Sequence, residues 1–359
     1  MNYNILYRKW RPTNFDEVVG QENTIKLIKN SFLINKIHSS YIFSGERGVG
    51  KTTISRLLAK TFNCKNNKYK ILPCNECINC SDINNNIFNI IEIDISSKNK
   101  IEEIKEIIDN IKYKPIVYKY KIFILDEIHM LSKQGFNYLL KILEEPYDYV
   151  KFLLSTTDII KVPSTILSRC THFKLNKIKK KDIINRLLYI LKKENIKYEK
   201  NVLNLISFFS NGSMRDALNI TDQLIISGKN EIYVKDFNDL FGIYNFEDYI
   251  NILINIKFKK INNIIRIINK YKNTNYINII DNIINILHIM LINKINKKNK
   301  INYKNNSKIL DKINFFYKNS SINDINIYYN KFIESKKKIC IYNSKIGFEY
   351  IIIQLIIKK

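Results

Sequence analysis

The sequence predicts an α/β fold: a doubly wound parallel sheet carried by residues up to about 178, followed by helical segments. Three observations predict it. The run Ser44-Gly45-Glu46-Arg47-Gly48-Val49-Gly50-Lys51-Thr52-Thr53 follows a β-type stretch, Tyr41-Ile42-Phe43, and precedes Ile54, Leu57, Leu58 and Phe62 at helical spacing. Lys121-Ile122-Phe123-Ile124-Leu125 is a near-continuous apolar run, as in a parallel strand buried on both faces, and it ends in Asp126-Glu127-Ile128-His129. From Lys179 onward the strand patterns stop, and apolar residues recur at i, i+3 and i+4.

A chain of 359 residues has room for two or three domains. Its formal net charge of +26 favours polyanionic partners. Ile, Asn and Lys dominate, however, and Ala occurs only at 59 and 217, so a bias toward AT-rich codons accounts for much of the lysine. The Asn- and Lys-rich stretch Asn293–Lys308 reads as a solvated loop. Against this background the surviving glycines and arginines stand out. Gly20, Gly45, Gly48, Gly50 and Gly212 all fall in candidate motifs, and arginine survives only at 8, 11, 47, 56, 169, 186, 215 and 266. Met1–Pro12 is polar and basic, unlike a signal peptide. No uninterrupted run reaches the roughly 18 apolar residues of a membrane span, and the most apolar patch, Ile283–Ile292, is broken by Asn285 and His288. A soluble, cytosolic protein without membrane contact is expected.

Taken in order, the chain begins with an aromatic and basic arm, Tyr7-Arg8-Lys9-Trp10-Arg11-Pro12, then Phe15 and Val18-Val19-Gly20-Gln21. Two readings stand for it: it wraps an adenine with Val18 and Val19 as apolar walls, or it packs on the core. Thr24 to Phe32 reads as a helix. The glycine run matches G-x-x-x-x-G-K-[ST], whose glycines let backbone N–H groups approach phosphates. Lys51 can neutralise the β and γ oxygens, Thr52 can ligate Mg²⁺, and the following helix adds its positive end.

Cys64, Cys74, Cys77 and Cys80 follow, spaced C-x9-C-x2-C-x2-C. The reading is one closed Cys₄ zinc site that folds a local module. Disulfides suit a reducing compartment poorly, and nothing else in the chain suggests iron–sulfur redox chemistry. Phe88–Ile93 reads as a strand and Asp94–Ile111 as a helix. Asp126 and Glu127 then arrive at the C-terminal edge of the sheet, where ligands bind in open α/β folds. Asp126 would hold Mg²⁺ largely through water, and Glu127 would polarise the attacking water.

The next helix buries Phe136, Leu139, Leu140 and Leu143 and stops before Pro146. Strand Lys151–Leu154 ends in Ser155-Thr156-Thr157-Asp158, whose hydroxyls could reach the γ-phosphate or the nucleophilic water. Ile166-Leu167-Ser168-Arg169-Cys170 leads into strand Thr171–Leu175. Arg169 there either pairs within its own domain or reaches another subunit's γ-phosphate. Helices are expected over Asp182–Asn195, Glu199–Ser210 and Ser213–Ser227, the last opened by Gly212-Ser213-Met214-Arg215-Asp216 with Ser213 as N-cap. Cys340 reads as a buried apolar residue.

Together these motifs resemble the gamma/tau subunits of the bacterial DNA polymerase III clamp loader, which are AAA+ P-loop ATPases. The resemblance covers about residues 3–243 and rests on the arm, Val19-Gly20-Gln21, the Gly45–Thr52 loop, the four cysteines, Asp126 to His129, Ser168-Arg169-Cys170 and Gly212 to Asp216. It implies an ATPase core over 1–178 with a zinc module near 64–80, a helical lid over 179–243 and a helical collar over 244–359. It implies that Lys51, Thr52, Asp126 and Glu127 act on ATP and Mg²⁺, with the rest of the loop (Gly45, Glu46, Arg47, Gly48, Val49, Gly50, Thr53) and Arg11 and Val19 in the nucleotide pocket. Thr156 or Thr157 resembles the first sensor, Arg215 the second, and Arg169 a finger acting on the neighbouring subunit. The implied partners are other loader subunits, the sliding clamp, primer–template DNA and the polymerase III holoenzyme at the nucleoid. The end at Lys359 implies a short form without the longer product's C-terminal domains. Two rivals are another AAA+ DNA motor and a non-hydrolysing scaffold subunit. The cysteine module and the lack of a winged-helix pattern disfavour the first, and the presence of both Lys51 and Glu127 disfavours the second.

Overall fold

The computed structural model describes residues 5–66, 73–82, 89–96, 111–115, 118–228, 230–241, 246–269, 276–296, 307–342 and 345–357. It divides into two compact units, Met1–Ile232 and Tyr233–Lys359. The first is built on strands β1 (Ser40–Ser44), β2 (Ile90–Asp94), β3 (Lys121–Asp126), β4 (Val150–Thr156) and β5 (Thr171–Lys174). They form a five-stranded sheet in the order β2-β3-β4-β1-β5, with every pair parallel. The three central strands are buried along nearly their whole length, which is why their sequences read as apolar runs rather than alternations. The outer strands alternate toward solvent.

Successive residues of β3 face opposite layers. Ile122 and Ile124 pack with Ile54, Leu57, Leu58 and Phe62 of helix Lys51–Asn63. Phe123 and Leu125 pack with Phe136, Leu139 and Leu143 of helix Lys133–Glu144. Strand ends therefore gather at one edge of the sheet, with Ser44 beside Thr156 and Asp94 beside Asp126.

Helices Lys180–Lys193, Lys200–Phe209 and Met214–Ser227 follow, and Ser213 caps the last by accepting from Asp216 N–H at 3.2 Å. One expectation is corrected here. Strands do not stop at Lys179, because β6 (Lys197–Tyr198) pairs in parallel with β7 (Glu231–Ile232). A two-residue ladder is too short to carry an alternating pattern.

The second unit is helical, with Leu253, Ile280, Leu287, Phe316, Phe332 and Phe348 in its core. The apolar stretch Ile283–Ile292 lies within helix Tyr276–Ile295 and buries Ile283, Ile286, Leu287 and Met290. Among the described residues no helix is long and apolar enough to cross a membrane. Two expectations are corrected where the chain is described: Asp94 ends β2 instead of opening a helix, and the expected loop Asn293–Lys308 is helical at both ends, in helices Tyr276–Ile295 and Ser307–Asn319. Residues 97–110 of the expected helix, residues 297–306 and the side chain of Cys340 lie outside the described residues.

Candidate active site

A cavity of ≈ 730 Å³ opens at the C-terminal edge of the sheet. It lies within the 300–1,000 Å³ or so typical of ligand pockets. The loop Glu46 to Thr53, Asp126, Glu127 and Thr157 line it, together with Arg11, Val19 and Arg215. Helix Lys51–Asn63 begins at Gly50, whose φ of 108° turns the chain out of the loop. The Lys51 ammonium donates to the carbonyls of Gly45 and Glu46 at 2.9 and 3.0 Å, which closes the loop around it. Burial lowers the Lys51 pKa, opposed by the nearby Glu127 and Asp126 carboxylates.

The acidic pair is held from three sides. Thr52 Oγ1 donates to Asp126 Oδ2 at 2.7 Å, and the Ser155 hydroxyl and Glu127 N–H both donate to Asp126 Oδ1. Glu127 sits at φ 54° and accepts from Thr157 N–H and Oγ1 at 3.1 and 2.9 Å. His129 Nδ1 lies 3.2 Å from the same carboxylate. Thr156 is fully buried against His129 and the Asp158 carbonyl, whereas Thr157 lines the cavity. Of the two threonines left open above, only Thr157 lines the cavity, with its hydroxyl turned to Glu127.

The helical segment closes the other side of the cavity through Arg186, Met214, Arg215 and Leu218. It meets the loop at Gly48, whose carbonyl accepts from Met214 N–H at 3.2 Å. A Cβ on Gly48 would stand 2.0 Å from Ser213 Oγ, so only glycine permits this approach. The Arg215 guanidinium lies 5.1 Å from the Tyr7 ring centroid. Arg169, by contrast, is absent from the cavity lining. It pairs with Glu144 at 2.7 Å and donates to the Thr165 carbonyl at 2.9 Å.

Sequence reasoning missed Arg186, Asp94 and Ser96, which also line the cavity. Arg186 was detectable as one of the few surviving arginines, and Asp94 as the acidic end of a strand. Tyr7, Trp10, Arg11 and Pro12 of the arm line the cavity with Val18 and Val19, while Phe15 just beyond it is buried in the core.

The four cysteines converge on one point. Cys64 follows helix Lys51–Asn63 directly, Cys80 lies in helix Ile78–Asp82, and the four Sγ atoms all lie within 4.8 Å of one another. Four thiol donors with no open position suit a closed tetrahedral zinc site. Burial, then the bond to Cys77, pushes the Cys80 thiol up. Burial also opposes ionisation of Cys77, but bonds from the Lys65 and Cys80 N–H groups, with those from the Cys80 and Cys74 thiols, bring that thiol down to about 7.

A parallel sheet with a phosphate loop after β1, an acidic pair at the end of β3 and an arginine from a helical lid define an AAA+ ATPase. The comparisons narrow the class. Residues 182–230 match the family described as DNA polymerase III clamp loader subunit, ATPase lid domain, and residues 20–179 match DNA polymerase III, delta subunit. The DNA polymerase III subunit gamma of Buchnera aphidicola subsp. Schizaphis graminum is 49% identical over 68% of this chain and 68% of its own. That of Buchnera aphidicola subsp. Baizongia pistaciae is 44% identical over 74% and 72%. The Haemophilus influenzae subunit tau/gamma is 45% identical over 70% of this chain but 37% of its own length. The chain belongs to the gamma/tau subunit family of the DNA polymerase III clamp loader. Among solved structures, the Thermotoga maritima RuvB branch migration motor superposes with a TM-score of 0.49 and 20% identity over 69% of this chain and 79% of that one, too low to bear on function.

Proposed function

We propose that this subunit couples ATP binding and hydrolysis to opening a sliding clamp and placing it on primed DNA. The observation that carries the reading is the convergence of Lys51, Thr52, Asp126, Glu127 and Arg215 on one cavity in a chain of this family. The loop N–H groups and Lys51 bind the triphosphate, and Arg215 answers to it from the lid. Thr52 and Asp126, already 2.7 Å apart, would hold Mg²⁺, which when bound neutralises charge on the phosphate oxygens. Glu127 orients the attacking water and Thr157 fixes Glu127. Arg169, held away from its own cavity by Glu144, serves as the finger for a neighbouring subunit's nucleotide, so hydrolysis requires assembly.

The four cysteines hold zinc that folds the module joining helix Lys51–Asn63 to β2. In this reading the chain has an ATPase core over 1–178, a lid over 179–243 and a collar over 244–359, and the collar holds the partner subunits. The clamp and the primer–template meet the assembled ring in the cytoplasm, and DNA contacts go mainly to phosphates. The test is ATPase of the loader reconstituted from its subunits. Clamp and primed DNA together should stimulate the wild type, and Lys51→Ala should abolish the stimulation. An unchanged rate in Lys51→Ala, or no response to clamp and DNA, would overturn the reading.

A further inference from the structure

The N-terminal arm is fastened to two different parts of the ATPase unit. At its start, Leu6 N–H donates to the buried Asp222 carboxylate of helix Met214–Ser227 at 2.7 Å. At its middle, the Lys9 ammonium and the Trp10 indole N–H both donate to Glu194, just past helix Lys180–Lys193, each at 2.7 Å. The Trp10 ring also meets Tyr189 of that helix edge-on at 5.8 Å. A few residues on, Asp16 pairs with Lys29 and Phe15 is buried in the core beneath β1. Residues 6–10 therefore ride on the lid helices, and residues 15–17 sit on the sheet layer.

Trp10, Arg11 and Pro12, which span the step between the two, line the cavity. Pro12 fixes its own φ near −65° and confines Arg11 to extended backbone, so the step is stiff. Glu194 is 18% exposed at its side chain, and a carboxylate so shielded, accepting from an ammonium and an indole, makes strong charge-assisted bonds. The wall formed by Tyr7 and Trp10 is thereby attached to the lid helices.

We propose that Glu194 is a positioning residue for nucleotide binding, holding Trp10 and Lys9 so that the arm's wall of the cavity closes as part of the lid. This rests on the nucleotide-site reading above. Glu194 itself does not line the cavity, and nothing in the loop motif points to it.

Trp10 is the chain's one tryptophan, so its emission reports the arm directly. ATP titrated into the full chain should shift that emission saturably. Glu194→Ala should raise the ATP Kd at least fivefold and halve the emission change, with the loss falling on KM rather than kcat. Glu194→Gln, which keeps an acceptor for the indole, should return the Kd to within twofold. A Kd and emission change in Glu194→Ala equal to the wild type would overturn the inference. Should Glu194→Ala fail to fold, Trp10→Phe, titrated with a fluorescent ATP analogue, removes the same bond; an unchanged Kd there would overturn it equally. If the wild type binds no ATP in either assay, the nucleotide-site reading has failed and the inference falls with it.

Discussion

The Glu127 carboxylate is held by Thr157 through two donors, the backbone N–H at 3.1 Å and the hydroxyl at 2.9 Å. Glu127 follows β3 directly in the left-handed region, at φ 54°, a conformation that costs a non-glycine residue about 1 kcal/mol or more. Thr157, just beyond the adjacent β4, is what fixes its aim. The two residues therefore work as one unit. Thr157→Val keeps the N–H and the β-branch but removes the hydroxyl. In the assembled loader kcat should fall at least about tenfold, less than the roughly 10²–10⁴ of a whole general base because the Thr157 N–H bond remains, while the ATP Kd stays within about twofold. Single-turnover hydrolysis beside equilibrium binding separates these, and an unchanged kcat would refute the pairing.

Gly48 is the point at which the phosphate loop touches the lid. A methyl there would stand 2.0 Å from Ser213 Oγ, on backbone at φ 79°. Gly48→Ala should destabilise the chain by about 1–3 kcal/mol through overpacking. The double variant Gly48→Ala with Ser213→Gly relieves the clash, and glycine retains most of the helix-capping preference. Thermal unfolding should show that second change restoring part of the loss. If Ser213→Gly adds its own cost instead, the clash is not the cause.

Much of this site was legible because its chemistry is written in consecutive residues. The loop from Gly45 to Thr52, the pair Asp126-Glu127 and the cysteine spacing each place their donors by local geometry alone. Thr156 and Thr157 were not separable, because a strand alternates faces and its parity at the end depends on register. The pairing of Ser44 with Thr156 puts Thr156 inside the sheet and leaves Thr157 facing the cavity. Arg186, Asp94 and Glu194 depend on packing between elements far apart in sequence, for which spacing carries no signal. The β6–β7 ladder was hidden by its brevity.

The cysteines should report zinc by their reactivity. In metal-free protein the Cys77 thiol titrates at about 7, whereas burial pushes the Cys170 thiol up to about 12. Thiolate is the reactive form, so raising the pH from 6 to 8 should sharply accelerate alkylation of Cys77 and leave Cys170 silent. At pH 8 the two rates should differ by at least about a hundredfold. With zinc bound all four module thiols should be protected, and a chelator should expose them and lower the melting temperature, because metal binding contributes to folding. Acidification should release the metal as protons compete for the thiolates. Peptide mapping by mass spectrometry checks the order, and purified protein carrying iron would contradict the zinc assignment.

Arg169 and Glu144 form a half-exposed ion pair, 34% and 50% exposed at their side chains. Pairs this open contribute about 0–1 kcal/mol to stability, so Arg169→Ala should melt close to the wild type. If Arg169 serves a neighbour's nucleotide, the isolated variant should also bind ATP normally. Only the assembled loader should suffer, with DNA-stimulated hydrolysis falling by about 10³–10⁵, the range for arginine fingers. Mixing Arg169→Ala with Lys51→Ala subunits adds a sharper requirement. Where the ring places an Arg169-bearing chain beside a chain with an intact loop, part of the activity should return. An Arg169→Ala chain that fails to bind ATP on its own would show instead that the guanidinium supports its own cavity.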